Sequence, residues 1–204
     1  MTVLLTTTYF GPIDWYSKLY RADRVSMEAC ESFIKQTYRN RCVIATANGP
    51  QALTVPVEHG GSRLIRDVRI SNHGSWRRVH WNALQSAYSE SPFFEYYADD
   101  LHPFFENDYE FLYDFNFEIM LKVCELLDIH PHVEHTTSFQ PSPTTLNAPL
   151  STLNSKLSAR LCRFAQQRTL NPYWQVFAHK YGFQPNLSIL DLLFCMGPEG
   201  IFYL

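Results

Sequence analysis

Lys35, Arg39 and Arg41 lie within one short segment, and Asn40 lies among them. A loop at this position would bring two guanidiniums, an ammonium and a carboxamide to one place. The planar guanidinium binds phosphate or carboxylate through two parallel hydrogen bonds, so this set suits an anion. We therefore predict that Lys35, Arg39 and Arg41 hold the phosphates of a substrate and that Asn40 orients a hydroxyl or carbonyl group. The alternative interpretation is a set of surface charges beside a strand.

Trp76 and His80 are four residues apart in a segment that favours a helix, which places both side chains on one face. Imidazole titrates near neutral pH and serves as a general base, and an indole ring offers a flat surface to a sugar. We predict His80 as a catalytic base and Trp76 as a sugar-binding residue, with the charges of Arg77 and Arg78 keeping the imidazole neutral. The alternative is that His80 is a hydrogen-bonded core residue.

Asp191 lies in an otherwise apolar run at residues 188–194. A buried carboxylate is costly unless it is paired, so we expect an arginine from the basic part of the chain as its partner. Asp191 is therefore either a member of a structural salt bridge or a second candidate catalytic base. Asn186, just before this run, is predicted to orient a hydroxyl or carbonyl group of the substrate.

Common active-site signatures are absent from the sequence, including the glycine-rich phosphate loops and the motifs of metallopeptidases and serine hydrolases. The five cysteines are scattered without C-x-x-C spacing and are interpreted as ordinary thiols. His130, His132 and His135 surround Pro131 at a predicted helix exit, which favours a solvated turn over a metal site. We expect no metal.

The chain has 204 residues and a formal net charge of −3, which gives no reason to expect nucleic-acid binding. With 46% hydrophobic residues it can build one sizeable core. No apolar run reaches the roughly 20 residues of a membrane-spanning helix. The first residues, Met1–Thr6, carry neither a basic leader nor a signal-peptide core, so a cytoplasmic location is expected.

The elements that must position these residues change in type along the chain. The first part carries short β-prone runs, and Asn48-Gly49 between two of them indicates a hairpin. The predicted strands are Val3–Tyr9, Val25–Met27, Cys42–Ala47, Gln51–Val57 and Asp67–Ser71. Two short helices are predicted in the same part, at Ile13–Tyr20 and Glu31–Gln36.

The second part has the three- and four-residue spacing of amphipathic helices. The predicted helices are Trp76–Ser89, Phe93–Phe105, one that begins at Asp108, and Ser188–Phe194. Residues 136–154 are rich in Thr, Ser, Pro and Asn and predict an irregular loop. The fold class is therefore α/β (mixed α and β), a single domain over residues 1–204 with a β-rich N-terminal half and a helical C-terminal half.

Several of these segments together resemble the WbqC-like family of bacterial proteins, whose genes lie among those for O-antigen and other surface polysaccharides. The segments that carry the resemblance are Tyr9–Ile13, Lys35–Arg41, Leu53–Val57, Ser91–Tyr97 and Pro185–Phe194. Two features depart from the family. Thr6-Thr7-Thr8 stands where the family has a His-Gln-Pro-like start, so no catalytic histidine is carried over there, and residues 141–168 follow no recognisable family pattern.

The resemblance implies a cytoplasmic transferase of surface-polysaccharide synthesis, and specifically an aminoacyl (glycyl) transferase that acts on a nucleotide-linked amino sugar. Such a reaction needs an acyl donor activated as a thioester or adenylate, a base for the sugar amine and cations for the diphosphate. The alternative is a non-catalytic protein that binds a sugar nucleotide or serves as a scaffold for a polysaccharide-synthesis enzyme. The partner in both cases is a nucleotide sugar or another phosphorylated small molecule, and a homo-oligomer is compatible with either.

Overall fold

A three-stranded parallel sheet forms the N-terminal part of the fold in this computed structural model, in which residues 2–58, 60, 62–140 and 171–204 are described. Strand β1 (Thr2–Thr6) leads through helix α1 (Ile13–Arg21) to β2 (Arg24–Glu28). Strand β5 (Val133–His135) arrives from much later in the chain and pairs with β2, which gives the order β1-β2-β5. Because all pairs are parallel, the three carboxyl ends meet at one edge.

The loop between β1 and α1 is tightly constrained. Phe10 has a φ of 39°, a backbone conformation that non-glycine residues rarely adopt. A Cβ atom on Gly11 would lie 2.4 Å from Thr8 Oγ1, so only glycine fits beside that threonine. Strand β1 ends at Thr6 rather than at the predicted Tyr9, because Tyr9 N–H donates to the carbonyl of Tyr38 instead of to the sheet.

The predicted hairpin is confirmed as β3 (Arg41–Thr46) and β4 (Gly49–Thr54). Gly49 has a φ of 100°, the conformation for which the Asn-Gly pair is suited. Pro50 lies inside β4 opposite Ala45. Proline has no N–H to donate to a second neighbouring strand, and in the described part of the chain β4 pairs with β3 alone.

Helices dominate the rest of the described chain. The α-helices are α2 (Trp76–Tyr88), α3 (Phe94–Leu101), α4 (Pro103–Glu106), α5 (Leu112–Leu126), α6 (Ala178–Tyr181) and α7 (Ile189–Met196). Two 3₁₀ helices lie at Ile65–Asp67 and Gly197–Tyr203. The fold is thus mixed α/β, as predicted, and among the described helices none is long and apolar enough to cross a membrane.

The predicted helix at Glu31–Gln36 is wrong. Ser32 bridges Leu64, and the N–H of Phe33 donates to the carbonyl of Arg63 at 2.6 Å. The carbonyl of Glu31 accepts from Ile65 N–H at 2.9 Å. Contacts with a distant segment therefore hold this stretch in an irregular form that local spacing does not reveal.

Two further helix boundaries differ from prediction. The helix expected at Phe93–Phe105 is divided into α3 and α4, because Pro103 has no N–H to continue the first helix and begins the second. The helix expected from Asp108 begins only at Leu112, since Phe111 is held extended in a bridge to Arg69. The predicted strand Asp67–Ser71 appears only as isolated bridges from Arg69 and Ile70.

The segment before α7 connects both parts of the fold. Ser188 N–H donates to the Val43 carbonyl of β3, and Ile189 N–H donates to the Gly11 carbonyl. Ser188, predicted as the first residue of this helix, is its cap, and its Oγ accepts from Leu190 N–H. Helix α7 is consequently buried along nearly its whole length. Of the irregular loop expected at 136–154, residues 136–140 have no helix or strand, and the remainder lies outside the described residues.

Candidate functional site

Arg39, predicted to bind phosphate, is buried and paired with Glu31. The guanidinium Nε donates to Glu31 Oε1 at 2.7 Å, and Nη2 donates to Glu31 Oε2. Burial raises the pKa of Glu31, and the two hydrogen bonds from Arg39 act against that rise. The Arg39 carbonyl accepts from Asn116 Nδ2 of α5 at 2.7 Å. Arg39 therefore anchors its loop to the interior instead of facing a shared pocket.

The other three residues of the predicted anion site lie apart from Arg39. Asn40 is buried, and its Nδ2 donates to the Val55 carbonyl at 3.0 Å. Arg41 is half-buried at the start of β3, where its Nε donates to Thr54 Oγ1 at 2.8 Å. Lys35 is exposed. The structure thus leaves Lys35 and Arg41 accessible, whereas Arg39 and Asn40 belong to the interior.

His80 and Trp76 are neighbours on one face of α2, as predicted, with ring centroids 5.2 Å apart. His80 is only 4% exposed, and its Nδ1 lies 2.9 Å from the Tyr9 hydroxyl. Burial raises the pKa of Tyr9 well above its usual value, so Tyr9 keeps its proton and donates to Nδ1. The imidazole also hydrogen-bonds the backbone of Thr54.

The surroundings of His80 make it a weak base. Burial lowers the pKa of His80 from 6.5 to about 4. The imidazole is therefore kept neutral by burial, and not by the charges of the neighbouring arginines as the sequence suggested. Arg77 instead stacks over the Trp76 ring at 4.6 Å and pairs with Asp108 at 3.1 Å. The Trp76 indole donates to the Ser71 carbonyl and is 8% exposed. Little of either ring is open to a sugar.

Asp191 is fully buried and is held by three neutral donors in place of the expected arginine. Tyr88 donates to Oδ1 at 2.8 Å, while Tyr173 and Gln175 donate to Oδ2 at 2.5 and 3.0 Å. Burial raises the pKa of Asp191, and the three hydrogen bonds oppose the rise. Since Tyr88 also accepts from Ala45 N–H, this carboxyl connects α7, α2 and β3.

Asn186 caps a helix. Its Oδ1 accepts from Asp14 N–H in the first turn of α1 at 2.9 Å, and its own φ of 57° is left-handed. The eight predicted site residues therefore occupy several separate places, of which only the Trp76–His80 pair is brought together by direct contact. Their roles as a common site remain predictions.

A polar group that sequence reasoning missed lies at the carboxyl edge of the parallel sheet. Glu28, the last residue of β2, is buried, and its Oε1 accepts from Thr136 Oγ1 at 2.8 Å and from Cys30 N–H at 2.7 Å. Its Oε2 accepts from Gln140 N–H at 2.9 Å. Glu28 thus ties the end of the central strand to the chain that follows β5.

Beside Glu28, Tyr113 of α5 meets His135 at the end of β5. The Tyr113 hydroxyl lies 2.7 Å from His135 Nδ1, and the Phe117 ring lies 4.7 Å from the imidazole centroid. Burial raises the pKa of Tyr113, and the charges of Glu28 and Asp114 raise it further. His135 itself is exposed. Tyr113 is buried, so this pair joins an interior hydroxyl to a histidine at the surface, whereas His80 and Asp191 are both buried.

The signal that could have located this pair is topological. Ligands of open parallel sheets bind outside the carboxyl ends of the strands. The sequence predicts a solvated turn at His135, because Pro131 lies among the three histidines at a predicted helix exit. Strand β5 has only three residues, too few to show an alternating pattern. Had β5 been assigned as a strand parallel to β2, Glu28 and His135 would have been placed at the same edge.

Other reactive groups are less promising. Cys30 is half-exposed, whereas burial raises the pKa values of Cys42, Cys124 and Cys195. Within the described ranges no three His, Cys, Asp or Glu side chains lie close enough to hold a metal ion. A cavity of about 360 Å³ opens elsewhere, between Glu58, Asp67 and Phe111, and none of the predicted site residues lines it.

A family model described as the WbqC-like protein family matches residues 7–166. The chain belongs to the WbqC-like protein family. The match includes Arg39, Asn40, Arg41, His80 and His135, and it extends through most of the stretch 141–168 that was expected to lack a family pattern. It ends before Asn186 and Asp191, although Asn186 contacts α1 and Asp191 contacts α2.

A relative of the chain is an uncharacterized protein of Mycobacterium tuberculosis (strain ATCC 25618 / H37Rv), Rv1507c. The two are 28% identical, and the alignment covers 84% of this chain and 83% of the relative. No solved structure matches the chain.

Proposed function

We propose that this WbqC-like protein is a cytoplasmic transferase of cell-surface polysaccharide synthesis that joins an aminoacyl group, glycine in the first instance, to the amine of a nucleotide-linked sugar. The observation that supports a catalytic site is the exposed His135, held by the buried Tyr113 hydroxyl at the carboxyl edge of the parallel sheet. A basic group beside carboxylates suits a reaction in which an amine must lose a proton.

The anionic part of such a substrate would be held by the accessible cations. Arg41 is bound through its Nε to Thr54, and its two Nη groups have no hydrogen-bond partner in the described part of the chain, while Lys35 is exposed six residues earlier. Both are suited to a diphosphate, Arg41 by a fork of donors and Lys35 as a point charge. In this proposal Arg39 and Asn40 shape the loop from inside and do not contact the phosphates.

The test is a transfer assay on the purified full-length chain. It is incubated with nucleotide-linked amino sugars and with glycine activated as a thioester or as an adenylate, and the sugar product is analysed by mass spectrometry. A mass increase of one glycyl residue that depends on the protein supports the proposal. The absence of product with every donor and acceptor pair, under conditions where the sugar binds, contradicts it.

A non-catalytic role is the second candidate, and one observation favours it. His80, Asp191 and Arg39 are the groups whose types best suit catalysis, and each is buried with protein partners. A protein that only binds a sugar nucleotide or holds another enzyme needs no exposed base. Calorimetric binding of the nucleotide sugar without any transfer would identify this role.

A further inference from the structure

We infer that His135, Tyr113 and Asp114 form the recognition site for the protonated amine of the substrate, with His135 as the group that accepts its proton. This inference rests on the proposed function for the identity of the reaction, but the amine site itself stands on the geometry of the sheet edge. It makes His135 the catalytic base, in place of His80 or Asp191.

His135 is accessible to a substrate, whereas His80 and Asp191 are buried. A base must reach the proton that it removes, within hydrogen-bond distance or through one water. His80 is 4% exposed and Asp191 is 0% exposed, so neither can meet a substrate without a rearrangement of the core. His135 lies at the surface, where its Nδ1 contacts the Tyr113 hydroxyl, and among the described residues none hydrogen-bonds its Nε2.

Carboxylates surround the Tyr113–His135 pair. Glu28 and Asp114 both interact with Tyr113, and Asp114 also interacts with His135. Burial raises the pKa of Asp114 and the charge of Glu118 raises it further, whereas His135 acts to lower it. Glu28 is already satisfied by three donors, so the exposed Asp114 is the carboxylate best placed to meet an incoming cation. An ammonium group can donate hydrogen bonds both to a carboxylate oxygen and to the unprotonated nitrogen of a neutral imidazole.

The imidazole ring of His135 is held in a fixed orientation by its neighbours. The Tyr113 hydroxyl fixes Nδ1 at 2.7 Å, and the rings of Tyr113 and Phe117 lie 5.7 and 4.7 Å from the imidazole centroid. A base held by a hydrogen bond and by packing has a defined orientation. Tyr113 is therefore a positioning residue for His135.

The reaction at this site balances with the donor named above. The ammonium group gives one proton to His135 Nε2, and the neutral amine then uses its lone pair to form a C–N bond with the acyl carbon. The nitrogen of this adduct gives its second proton to water, so that a neutral amide remains. The bond from that carbon to the sulfur or phosphate oxygen of the donor breaks, and its electron pair leaves with the sulfur or oxygen. His135 then releases the proton to solvent.

The binding test uses the full chain with UDP-glucosamine and UDP-N-acetylglucosamine as probes, and follows the histidine imidazole signals by NMR. We expect the free amine to bind at least tenfold more tightly and to shift the His135 signal, while the N-acetyl probe leaves that signal in place. Asp114→Asn should remove most of the preference, and Asp99→Asn, an exposed carboxylate on α3, should keep it. Equal affinity for the two probes, no binding of either, or a shift confined to His80 would overturn the inference.

The catalytic test uses His135→Gln, with His132→Gln as the matched control because His132 is also an exposed histidine three residues earlier. His135→Gln should lower kcat about a hundredfold with little change in KM, the usual scale for a lost general base, and His132→Gln should be unchanged. Tyr113→Phe keeps the ring and should lower kcat alone. Full activity of His135→Gln overturns the assignment of the base. Amine-selective binding without any transfer contradicts only the proposed function.

Discussion

At the scale of single residues, the clearest departure from expectation is a buried carboxyl without a cationic partner. Asp191 accepts from Tyr88, Tyr173 and Gln175, so its negative charge is distributed over three neutral donors. A buried charge can be stabilised by hydrogen bonds alone when each of its lone pairs has a donor. The buried carboxyl that suggested a catalytic base also suits a structural centre of this kind.

Asp191→Asn should destabilise the protein by about 1 to 3 kcal/mol, because the amide brings an N–H₂ group to donors that need acceptors. Equilibrium urea unfolding measures the loss, with Asp99→Asn as an exposed control expected within about 0.5 kcal/mol of wild type. Transfer per folded molecule should be unchanged. A stable variant without activity would restore Asp191 as a catalytic candidate.

The protonation of His80 should limit stability in acid. Its pKa is lowered to about 4 in the folded state, whereas the unfolded chain titrates near 6.5 and so binds more protons between these values. Stability is therefore complete above pH 6.5 and falls by about 3 kcal/mol as the pH drops to 4, since each pKa unit corresponds to about 1.4 kcal/mol.

His80→Gln should remove that part of the pH dependence. Urea unfolding of both proteins at several pH values from 7 to 4 isolates the effect, because Asp191 and Glu31, whose raised pKa values act in the opposite direction, are present in both. Identical slopes for the two proteins would show that His80 titrates normally and is not held neutral by burial.

At the scale of elements, helix α1 is capped by a residue from the other end of the described chain. Three substitutions of Asn186 separate its side-chain acceptor from its left-handed backbone. Asn186→Asp keeps both features and should be near neutral in stability, whereas Asn186→Gly keeps only the backbone and should lose about 1 kcal/mol.

Asn186→Ala loses the cap and also strains the backbone, so it should be the least stable of the three. Thermal melts rank the series. If glycine and aspartate variants melt together, the hydrogen bond to Asp14 contributes nothing measurable to α1.

Elements with a strong local signal were predictable from sequence, and those fixed by distant contacts were not. The Asn-Gly hairpin and the Ser188-capped α7 follow from turn and capping chemistry within a few residues. The irregular stretch at 31–36 depends on pairing with residues 63–65, and β5 depends on β2, more than a hundred residues away. The candidate site was missed for the same reason, since Glu28 and His135 come together only through that pairing.

At the scale of the whole molecule, the two halves share contacts that argue for one unfolding unit. Asn116 of α5 donates to the Arg39 carbonyl, and the Phe115 ring stacks on Tyr9 at 5.8 Å. Strand β5 follows α5 and completes the N-terminal sheet. We therefore expect the strands and the helices to unfold together, as a single domain would.

Hydrogen exchange measured by mass spectrometry in increasing urea tests this expectation. Peptides from β2 and from α5 should open with the same free energy and the same urea dependence. An N-terminal sheet that opens at lower urea than α5 would instead divide the chain into two cooperative units.

The attachment of residues 186–189 to the loop 9–13 also affects how the protein emerges from the ribosome. The hydrogen bond from Asp14 N–H to Asn186 cannot form until Asn186 has been synthesised, 172 residues later. At roughly 5–20 residues per second, that delay is about 10 to 35 s. During this interval Tyr9, Phe10 and Ile13, all buried in the finished protein, lack the segment that covers them. The nascent chain is thus a candidate client for the chaperones that bind exposed apolar segments during translation.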